Sequence, residues 1–323
     1  MKMKKNILGV DIGGTKCAVI YGQKEGDTLH LVEKVRFPTT SVDETIANIC
    51  SEIEQMMGRH GLDSSNTGAI GISCGGPLDS KRGVVMSPPN LPGWNDIPIV
   101  RMLEERFGIR TGIHNDANAC ALAEWKFGAG VGTQNMVFLT FGTGLGAGLI
   151  LDGKLYAGTN DNAGELGHIR LSEFGPVGYG KCGSFEGFAS GGGIAQLARF
   201  KVSEKQQMGE SVAWCPPGQL DSISAHTVAL AAASGDPLAL EIYRISATYL
   251  GRGLAMVIDL LNPEVIVIGS IYVRNRELME PFVLQEIERE ALSHARRVCS
   301  VRPAKLGEQI GDYAALSVAA NLI

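Results

Sequence analysis

Short apolar segments alternate with glycine turns and amphipathic segments along the chain. Residues 7–11 and 16–21 are apolar runs around Gly13, which predicts two strands joined in a hairpin, and a third strand is expected over residues 29–37. Other apolar runs of strand length predict strands over residues 69–73, 111–114, 136–140, 147–151 and 265–268.

Between these strands, much of the chain has apolar side chains at helical spacing. We predict helices from the capping box at residues 41–44 to Gly61, over 100–107, over 117–126, from Asp236-Pro237 to about Leu261, and over 312–323. No low-complexity segment or Ser/Gly linker separates these elements.

The order strand, glycine turn, strand occurs around Gly13 and again around Gly142. Each turn also has a threonine beside glycine, Thr15 in the first and Thr143 in the second. Glycine hairpins are common, so two interpretations stay open, an internal duplication and a coincidence. The shared order of the flanking strands favours duplication.

Composition and charge limit the classes of function. The 323 residues are 45% hydrophobic and 20% charged, with a net charge of −5, which is the balance of a soluble globular protein. The lack of a long basic run argues against a nucleic-acid partner, and no apolar stretch reaches the roughly 18 residues of a membrane span. The seven cysteines are odd in number and scattered, as expected in the reducing cytoplasm.

The segment from Asp11 to Lys16 is the first candidate for chemistry. An acidic residue at a strand end faces the turn Gly13-Gly14-Thr15, where two glycines leave the backbone N–H groups uncovered. Such a turn can cradle a phosphate while Asp11 holds a magnesium ion, directly or through water. An ordinary hairpin is the alternative for this segment taken alone.

Residues 141–148 form a second glycine-rich turn. They match the loose dinucleotide pattern G-x-G-x-x-A, but that pattern needs a following helix and the sequence here predicts a strand. We therefore expect phosphate contacts from N–H groups and from the Thr143 hydroxyl, not a Rossmann site. Residues 175–182 fit G-x-x-x-x-G-K with Cys182 in place of Ser or Thr, and without that hydroxyl no P-loop is expected.

Two further segments have side chains suited to a sugar. Asp116 follows a predicted strand and begins a predicted helix, so it is either an N-cap or a base that accepts a hydroxyl proton. The helix dipole would favour its ionised form. Glu165 and His168, followed by Glu186, are either polar surface residues or hydrogen-bonding partners of adjacent sugar hydroxyls.

Together these motifs resemble the ROK family of sugar kinases and repressors, within the larger superfold of actin, hexokinase and the heat-shock ATPase domain. The resemblance covers nearly the whole chain, and the order and spacing of its short motifs are specific. The motifs are Asp11-Ile12-Gly13-Gly14-Thr15, Gly76-Pro77, Ser87-Pro88-Pro89-Asn90-Leu91, Asn115-Asp116-Ala117-Asn118-Ala119, Phe141-Gly142-Thr143-Gly144-Leu145-Gly146, Glu165-Leu166-Gly167-His168, Phe185-Glu186 and Gly311-Asp312-Tyr313-Ala314-Ala315.

The resemblance implies a two-domain α/β fold, actin/hexokinase-like, with a duplicated ribonuclease H-like core and a central cleft. We expect a small N-terminal domain over residues 1–117, joined by a C-terminal helix over 312–323, and a large domain over 118–311. The resemblance also implies a homodimer formed through the larger domain.

It further implies roles for individual residues. Asp116 is expected to be the catalytic base for a sugar hydroxyl, typically the 6-hydroxyl. The sugar-binding positions are Asn90, Asn115, Asp116, Glu165, His168 and Glu186. The ATP-binding positions are Asp11, Gly13, Gly14, Thr15, Lys16, Gly142, Thr143, Gly144 and Gly269. Mg²⁺ is expected to arrive with ATP near Asp11.

Two features depart from the family. Where members often have three glycines, this chain reads Gly269-Ser270-Ile271. Many members also bind a structural zinc ion through a histidine, here His168, and three cysteines. The three cysteine positions hold Val177, Tyr179 and Ser184. One histidine and the misplaced Cys182 are too few for tetrahedral zinc, so we predict that no zinc is bound. The loop is then expected to be ordered by turns and by packing of Pro176, Tyr179 and Phe185.

The expected function is ATP-dependent phosphorylation of a hexose, with glucose at its 6-hydroxyl as the first candidate. Kinases for N-acetylmannosamine, N-acetylglucosamine, allose, fructose and β-glucosides share these motifs and stay open. A repressor is disfavoured, since ten residues before Asp11 leave no room for a DNA-binding domain and the net charge is acidic. A non-catalytic sugar-binding protein is the alternative of another class.

Overall fold

The computed structural model describes residues 4–323. Its strands are β1 (Lys5–Ile12), β2 (Lys16–Glu25), β3 (Thr28–Pro38), β4 (Thr67–Cys74), β5 (Leu78–Asp79), β6 (Val84–Val85), β7 (Thr111–Asn115), β8 (Met136–Phe141), β9 (Leu145–Leu151), β10 (Lys154–Tyr156), β11 (Val177–Gly178), β12 (Lys181–Cys182), β13 (Val265–Ile268) and β14 (Ser300–Pro303). Its helices are α1 (Val42–His60), α2 (Ile99–Phe107), α3 (Asp116–Phe127), α4 (Phe185–Phe188), α5 (Gly191–Gln207), α6 (Ala225–Ala233), α7 (Pro237–Leu261), α8 (Ile271–Arg274), α9 (Arg276–Glu290), α10 (Ser293–Val298) and α11 (Ile310–Asn321).

The first sheet has the strand order β3-β2-β1-β4-β7. Strands β1, β2 and β3 form an antiparallel meander, and β4 and β7 extend it in parallel with β1. Helix α11 lies so close to one face that a Cβ on Gly71 would fall 2.2 Å from backbone atoms of Ala315 and Ala319. Glycine in β4 therefore permits the close approach of the C-terminal helix.

The second sheet has the strand order β10-β9-β8-β13-β14. Strands β9 and β10 are antiparallel, and β13 and β14 continue in parallel with β8. Strand β13 is buried along its whole length, as its all-apolar sequence predicts. Both sheets thus follow the order third, second, first, fourth, fifth strand. This common order supports the duplication suggested by the two glycine turns.

The chain divides into two compact units. The first comprises the described residues up to Gln134 together with Gly148–Ala163 and Lys305–Ile323, and the second comprises Asn135–Ala147 and Gly164–Ala304. Helix α3 belongs to the first unit, where it packs against α11. The predicted α/β class with a two-domain layout is confirmed.

Local sequence signals located most of the long elements. The Asp236 carboxylate caps α7 by accepting the N–H of Ala239 at 2.9 Å, as the Asp-Pro pair predicts. Helix α11 begins two residues before its predicted start. Helix α5 was not predicted, because it opens with three glycines that disfavour helix. The buried Ser190 hydroxyl caps it by accepting the N–H of Gly193 at 2.9 Å.

Within residues 4–323, no helix has both the length and the apolar character needed to cross a membrane. The expected homodimer and cytoplasmic location stay predictions.

Candidate active site

The first glycine turn joins β1 to β2 in the first unit. The Gly13 N–H closes the turn by donating to the Lys16 carbonyl at 3.2 Å, and the Thr39 hydroxyl donates to the Gly13 carbonyl at 2.6 Å. The backbone of Asn90 lies against Gly14, where a Cβ would be 2.4 Å from the Asn90 carbonyl oxygen. The predicted sugar residue Asn90 therefore adjoins the predicted phosphate turn. The exposed residues of the turn are Gly14, Thr15 and Lys16.

Asp11 lies near the end of β1 and is partly buried. The start of α11 is beside it, since a Cβ on Gly311 would be 3.7 Å from Asp11 Oδ2. Burial raises the pKa of Asp11 to about 6. The positive charge of Lys34, which is ion-paired to Asp312, opposes that rise. The negative charges of Asp312 and Asp116 add to it.

The magnesium ion that is expected to arrive with ATP would find one carboxylate ligand here. Mg²⁺ prefers oxygen ligands and is usually held by one or two carboxylates together with substrate phosphates. A divalent cation beside Asp11 would also stabilise its charged form, which burial alone disfavours.

Asp116 is the first residue of α3 and directly follows β7. The N-cap of this helix is Asn115, whose Oδ1 accepts the Asn118 N–H at 2.8 Å. Asp116 Oδ1 accepts the N–H of Ala117 at 2.8 Å. Although the residue is open to solvent, the protein around its carboxyl raises its pKa, since desolvation outweighs the backbone hydrogen bonds.

This geometry excludes one of the two interpretations of Asp116. The neighbouring Asn115 performs the capping, so capping does not account for the aspartate. Backbone hydrogen bonds at the helix start favour the ionised form, as expected, but desolvation outweighs them and the net shift of the pKa is upward. A raised pKa makes the carboxylate a stronger proton acceptor once it is ionised.

The second glycine turn joins β8 to β9 in the second unit. The first two N–H groups of α5 donate to two carbonyls of the turn at 2.8 and 3.2 Å. The Glu186 carboxylate accepts the Leu145 N–H at 3.0 Å, and a Cβ on Gly144 would be 2.7 Å from Glu186 Oε2. The structure thus brings the sugar candidate Glu186 to the phosphate turn. A strand follows the turn directly, which confirms that it is not a Rossmann site.

Glu165 and His168 lie at the two ends of one short 3₁₀ turn, and both are exposed. The His168 N–H donates to the Glu165 carbonyl at 3.1 Å. A Cβ on Gly167 would be 2.3 Å from the Leu145 carbonyl oxygen and 3.2 Å from Cβ of Glu186. This glycine therefore lets the turn pack beside Glu186, so the three sugar candidates of the second unit are neighbours.

The predicted adenosine segment follows β13. The Gly269 N–H donates to the Leu139 carbonyl at 3.0 Å. Ser270 has a φ of 55°, in the left-handed region that favours the glycine many family members have here. The Ser270 hydroxyl accepts from Arg274 at 3.1 Å and lies 3.9 Å from where a Cβ on Gly142 would be. The segment is therefore next to the second phosphate turn.

Residues 175–186 contain a hairpin of β11 and β12, with Tyr179 and Gly180 at its tip. This confirms that the segment is not a P-loop. Pro176 and Phe185 are buried, whereas Tyr179 is 79% exposed and contacts the ring of His168. In the described part of the chain, no group of three or more His, Cys, Asp or Glu side chains is placed to hold a metal ion.

Several contributors were missed by sequence reasoning. They are Thr39, which holds the first turn; Ser190, which caps the helix behind the second turn; and Gln196, which holds the hairpin. Ser190 precedes a glycine run, so its capping role had a local signal. Thr39 and Gln196 had none, because their partners lie 26 and 19 positions away along the chain.

Known proteins are similar to this chain over most of its length. The glucokinase of Streptomyces coelicolor is 33% identical over 314 residues, which are 97% of this chain and 96% of that protein. The structure of a ROK family glucokinase from Streptomyces griseus in complex with glucose and AMPPNP superposes with a TM-score of 0.72 at 31% identity, covering 98% of each chain. The DNA-binding transcriptional repressor Mlc of Escherichia coli is 29% identical over 262 residues, 81% of this chain and 63% of that protein.

The pattern that describes the ROK family matches residues 7–321, nearly the whole chain. The resemblance drawn from the motifs is thereby confirmed, and the chain belongs to the ROK family.

Proposed function

We propose that this protein is an ATP-dependent hexose kinase that phosphorylates glucose at its 6-hydroxyl. The observation that carries the proposal is Asp116, a carboxylate at the start of α3 that does not serve as the helix cap and has a raised pKa. Similarity over 97% of the chain to a glucokinase supports the same reaction.

In this proposal Asp116 is the base, and the turn at Gly13 binds phosphate. Asp116 accepts the proton of the 6-hydroxyl while that oxygen attacks the γ-phosphorus of ATP, and the bond from this phosphorus to the bridging oxygen breaks to release ADP. Phosphoryl transfer passes through a loose transition state, so the position of the acceptor matters more than its strength. Asp11 would hold the magnesium ion, which neutralises phosphate charge. Asn90 and Asn115 add hydrogen bonds to the sugar.

The other sugar contacts and the second phosphate turn are assigned as the resemblance to the family implies. Glu165, His168 and Glu186 form hydrogen bonds with sugar hydroxyls in this proposal. The bond from the Leu145 N–H fixes the Glu186 carboxylate next to the turn. N–H groups of the turn and the Thr143 hydroxyl bind phosphate oxygens, and Gly269 lies on the adenosine side.

The test is a coupled ADP-release assay with ATP and Mg²⁺ over a panel of hexoses and N-acetylhexosamines. We expect turnover of glucose and a loss of about 10²–10⁴-fold in kcat for Asp116→Asn, because the amide accepts no proton. Asp43→Asn is the matched control, since Asp43 is also an acid in the first turn of a helix. It is expected to retain full activity.

Two outcomes contradict the proposal. Full activity of Asp116→Asn removes the assigned base, and turnover of another sugar in preference to glucose replaces the substrate. Absence of turnover on the whole panel, with glucose binding measured by calorimetry, favours the second candidate, a non-catalytic sugar-binding or regulatory protein. The similarity to the repressor Mlc favours that candidate.

A further inference from the structure

The hairpin of β11 and β12, residues 177–182, is firmly attached to the rest of the second unit. The Gln196 side chain on α5 accepts the Val177 N–H at 2.9 Å and donates to the Val177 carbonyl at 2.8 Å. The Ser184 hydroxyl donates to the Gly178 carbonyl at 3.4 Å. A Cβ on Gly178 would be 2.6 Å from the Gly187 nitrogen, so the strand packs directly on α4. These contacts fix the base of the hairpin and therefore its tip.

The tip has an unusual residue for its conformation. Tyr179 and Gly180 both have positive φ, 45° and 75°, as in a two-residue type I′ turn. That turn favours Asn-Gly or Asp-Gly, and a bulky side chain in the left-handed region is an outlier. Strained residues of this kind are concentrated at functional sites, where another interaction maintains them.

Both residues that flank the tip glycine reach His168. The Tyr179 ring meets the imidazole edge to face, with centroids 6.2 Å apart and planes at 77°. Lys181 Nζ donates to the His168 carbonyl at 2.8 Å. The hairpin therefore contacts both the ring and the backbone of a residue assigned to the sugar.

We propose that the hairpin of residues 177–182 is a metal-free device that positions the His168 imidazole for the sugar. Tyr179 sets the orientation of the ring and Lys181 fixes the backbone beneath it. The inference rests on the proposed function, which assigns a sugar hydroxyl to His168. Tyr179 and Lys181 are positioning residues, so their contribution is to sugar affinity and not to phosphoryl transfer.

The zinc site of many family members does not fit these residues. The three cysteine positions supply no thiolate, since they hold Val177, Tyr179 and Ser184. The Cys182 thiol donates to the Gly175 carbonyl at 3.2 Å and so serves the loop backbone. His168 is then a single imidazole, whereas structural zinc takes four protein ligands. In this chain, contacts within the protein take over the orientation of the histidine.

The test replaces Tyr179 without endangering the hairpin. Tyr179→Asn removes the ring and supplies a residue that the turn prefers, so we expect an equal or higher Tm. The KM for glucose is expected to rise about three- to tenfold, as the loss of one edge-to-face ring contact implies, with kcat and the KM for ATP unchanged. Tyr179→Phe keeps the ring and restores the KM. Phe174→Asn, which removes an exposed aromatic from the same loop, is the control without effect.

Proton NMR of the histidine rings provides a second readout that needs no activity. The His168 signal is identified by its loss in His168→Gln. In the wild type the Tyr179 ring current displaces this signal, and in Tyr179→Asn the displacement is lost.

An unchanged KM in Tyr179→Asn, or an unchanged His168 signal, overturns the inference and leaves the kinase proposal intact. If the wild type turns over no sugar, the kinase proposal fails instead. The calorimetric affinity for glucose then decides, and equal binding by Tyr179→Asn, or no binding by either protein, overturns the inference.

Discussion

The two glycine turns occupy equivalent places in two sheets of the same strand order, but different groups hold them. In the first turn, the Thr39 hydroxyl bonds Gly13 and the Asn90 backbone presses on Gly14. In the second, the N-terminus of α5 bonds two carbonyls and the Glu186 carboxylate lies against Gly144. A rigid backbone thus borders the first turn, and a movable side chain borders the second.

The strand residue two positions before each turn shows a second contrast. In the first hairpin it is Asp11, whose pKa burial raises to about 6. In the second it is Thr140, whose hydroxyl accepts the Gly146 N–H at 3.0 Å and donates to its carbonyl at 3.3 Å. Each hairpin has a three-residue turn at the same place in its sheet, but only the first has a carboxylate at this position. The two hairpins therefore share the location of the turn and differ in chemistry.

Among the changes that test this comparison of the two turns, Gly14→Ala is expected to have the largest effect. A Cβ would lie 2.4 Å from the Asn90 carbonyl oxygen, so backbone must move on one side. We expect a fall of about 100-fold in kcat/KM, because displacement by an ångström misplaces both phosphate and sugar contacts. Steady-state kinetics measure this. Gly58→Ala in α1 is the control, since a Cβ there would meet nothing within 4 Å beyond its chain neighbours and the backbone of its own helix. Equal kinetic constants for Gly14→Ala and Gly58→Ala would show that the Asn90 backbone does not constrain the first turn.

Gly144→Ala is expected to have a smaller effect on activity, and this effect is on sugar binding. The new Cβ would lie 2.7 Å from Glu186 Oε2, and the carboxylate can rotate away at the cost of its bond to Leu145. We expect the KM for glucose to rise about tenfold, the value of one charge-assisted hydrogen bond. In a Glu186→Ala background the same change should have no further effect on KM. Additive effects would show that the glycine acts independently of Glu186.

Asp11→Asn tests the contrast between Asp11 and Thr140 by its effect on thermal stability. Because the folded pKa of about 6 lies above the unfolded value of 3.8, ionised Asp11 destabilises the fold increasingly as pH rises from 4 through 6. The variant should therefore melt about 2–4 °C higher than the wild type at pH 7–8 in the absence of Mg²⁺ and ATP, with no difference below pH 4. Differential scanning calorimetry over a range of pH measures the two Tm values. A difference in Tm that does not change with pH would contradict this prediction.

The smallest expected effect is that of Ser190→Ala. Loss of the buried cap should cost about 1 kcal/mol and loosen the helix start that holds the second turn. We expect a slightly lower Tm and a rise of about two- to threefold in the KM for ATP, since the helix N–H groups that bond two carbonyls of the turn are then less firmly positioned. Ser41→Ala, which removes the cap of α1 in the first unit, should leave the KM for ATP unchanged.

Local signals predicted most of the fold. Strands β1 and β13 followed from apolar runs, and α7 followed from its Asp-Pro start and apolar spacing. The signals failed where tertiary packing overrides propensity. Helix α5 forms despite three glycines at its start, because the second turn accepts its first N–H groups.

The sequence by itself determined the two glycine turns, the acid before the first, and the acid that begins α3, since each depends on neighbours within a few residues. Tertiary structure alone decided which of these groups meet. Asn90 lies against Gly14, and Glu186 reaches Gly144, only because distant segments pack together. The raised pKa of Asp11 and the contact between the Tyr179 and His168 rings also result from tertiary packing. Burial and contact between remote residues are properties of the packed chain, which local patterns do not encode.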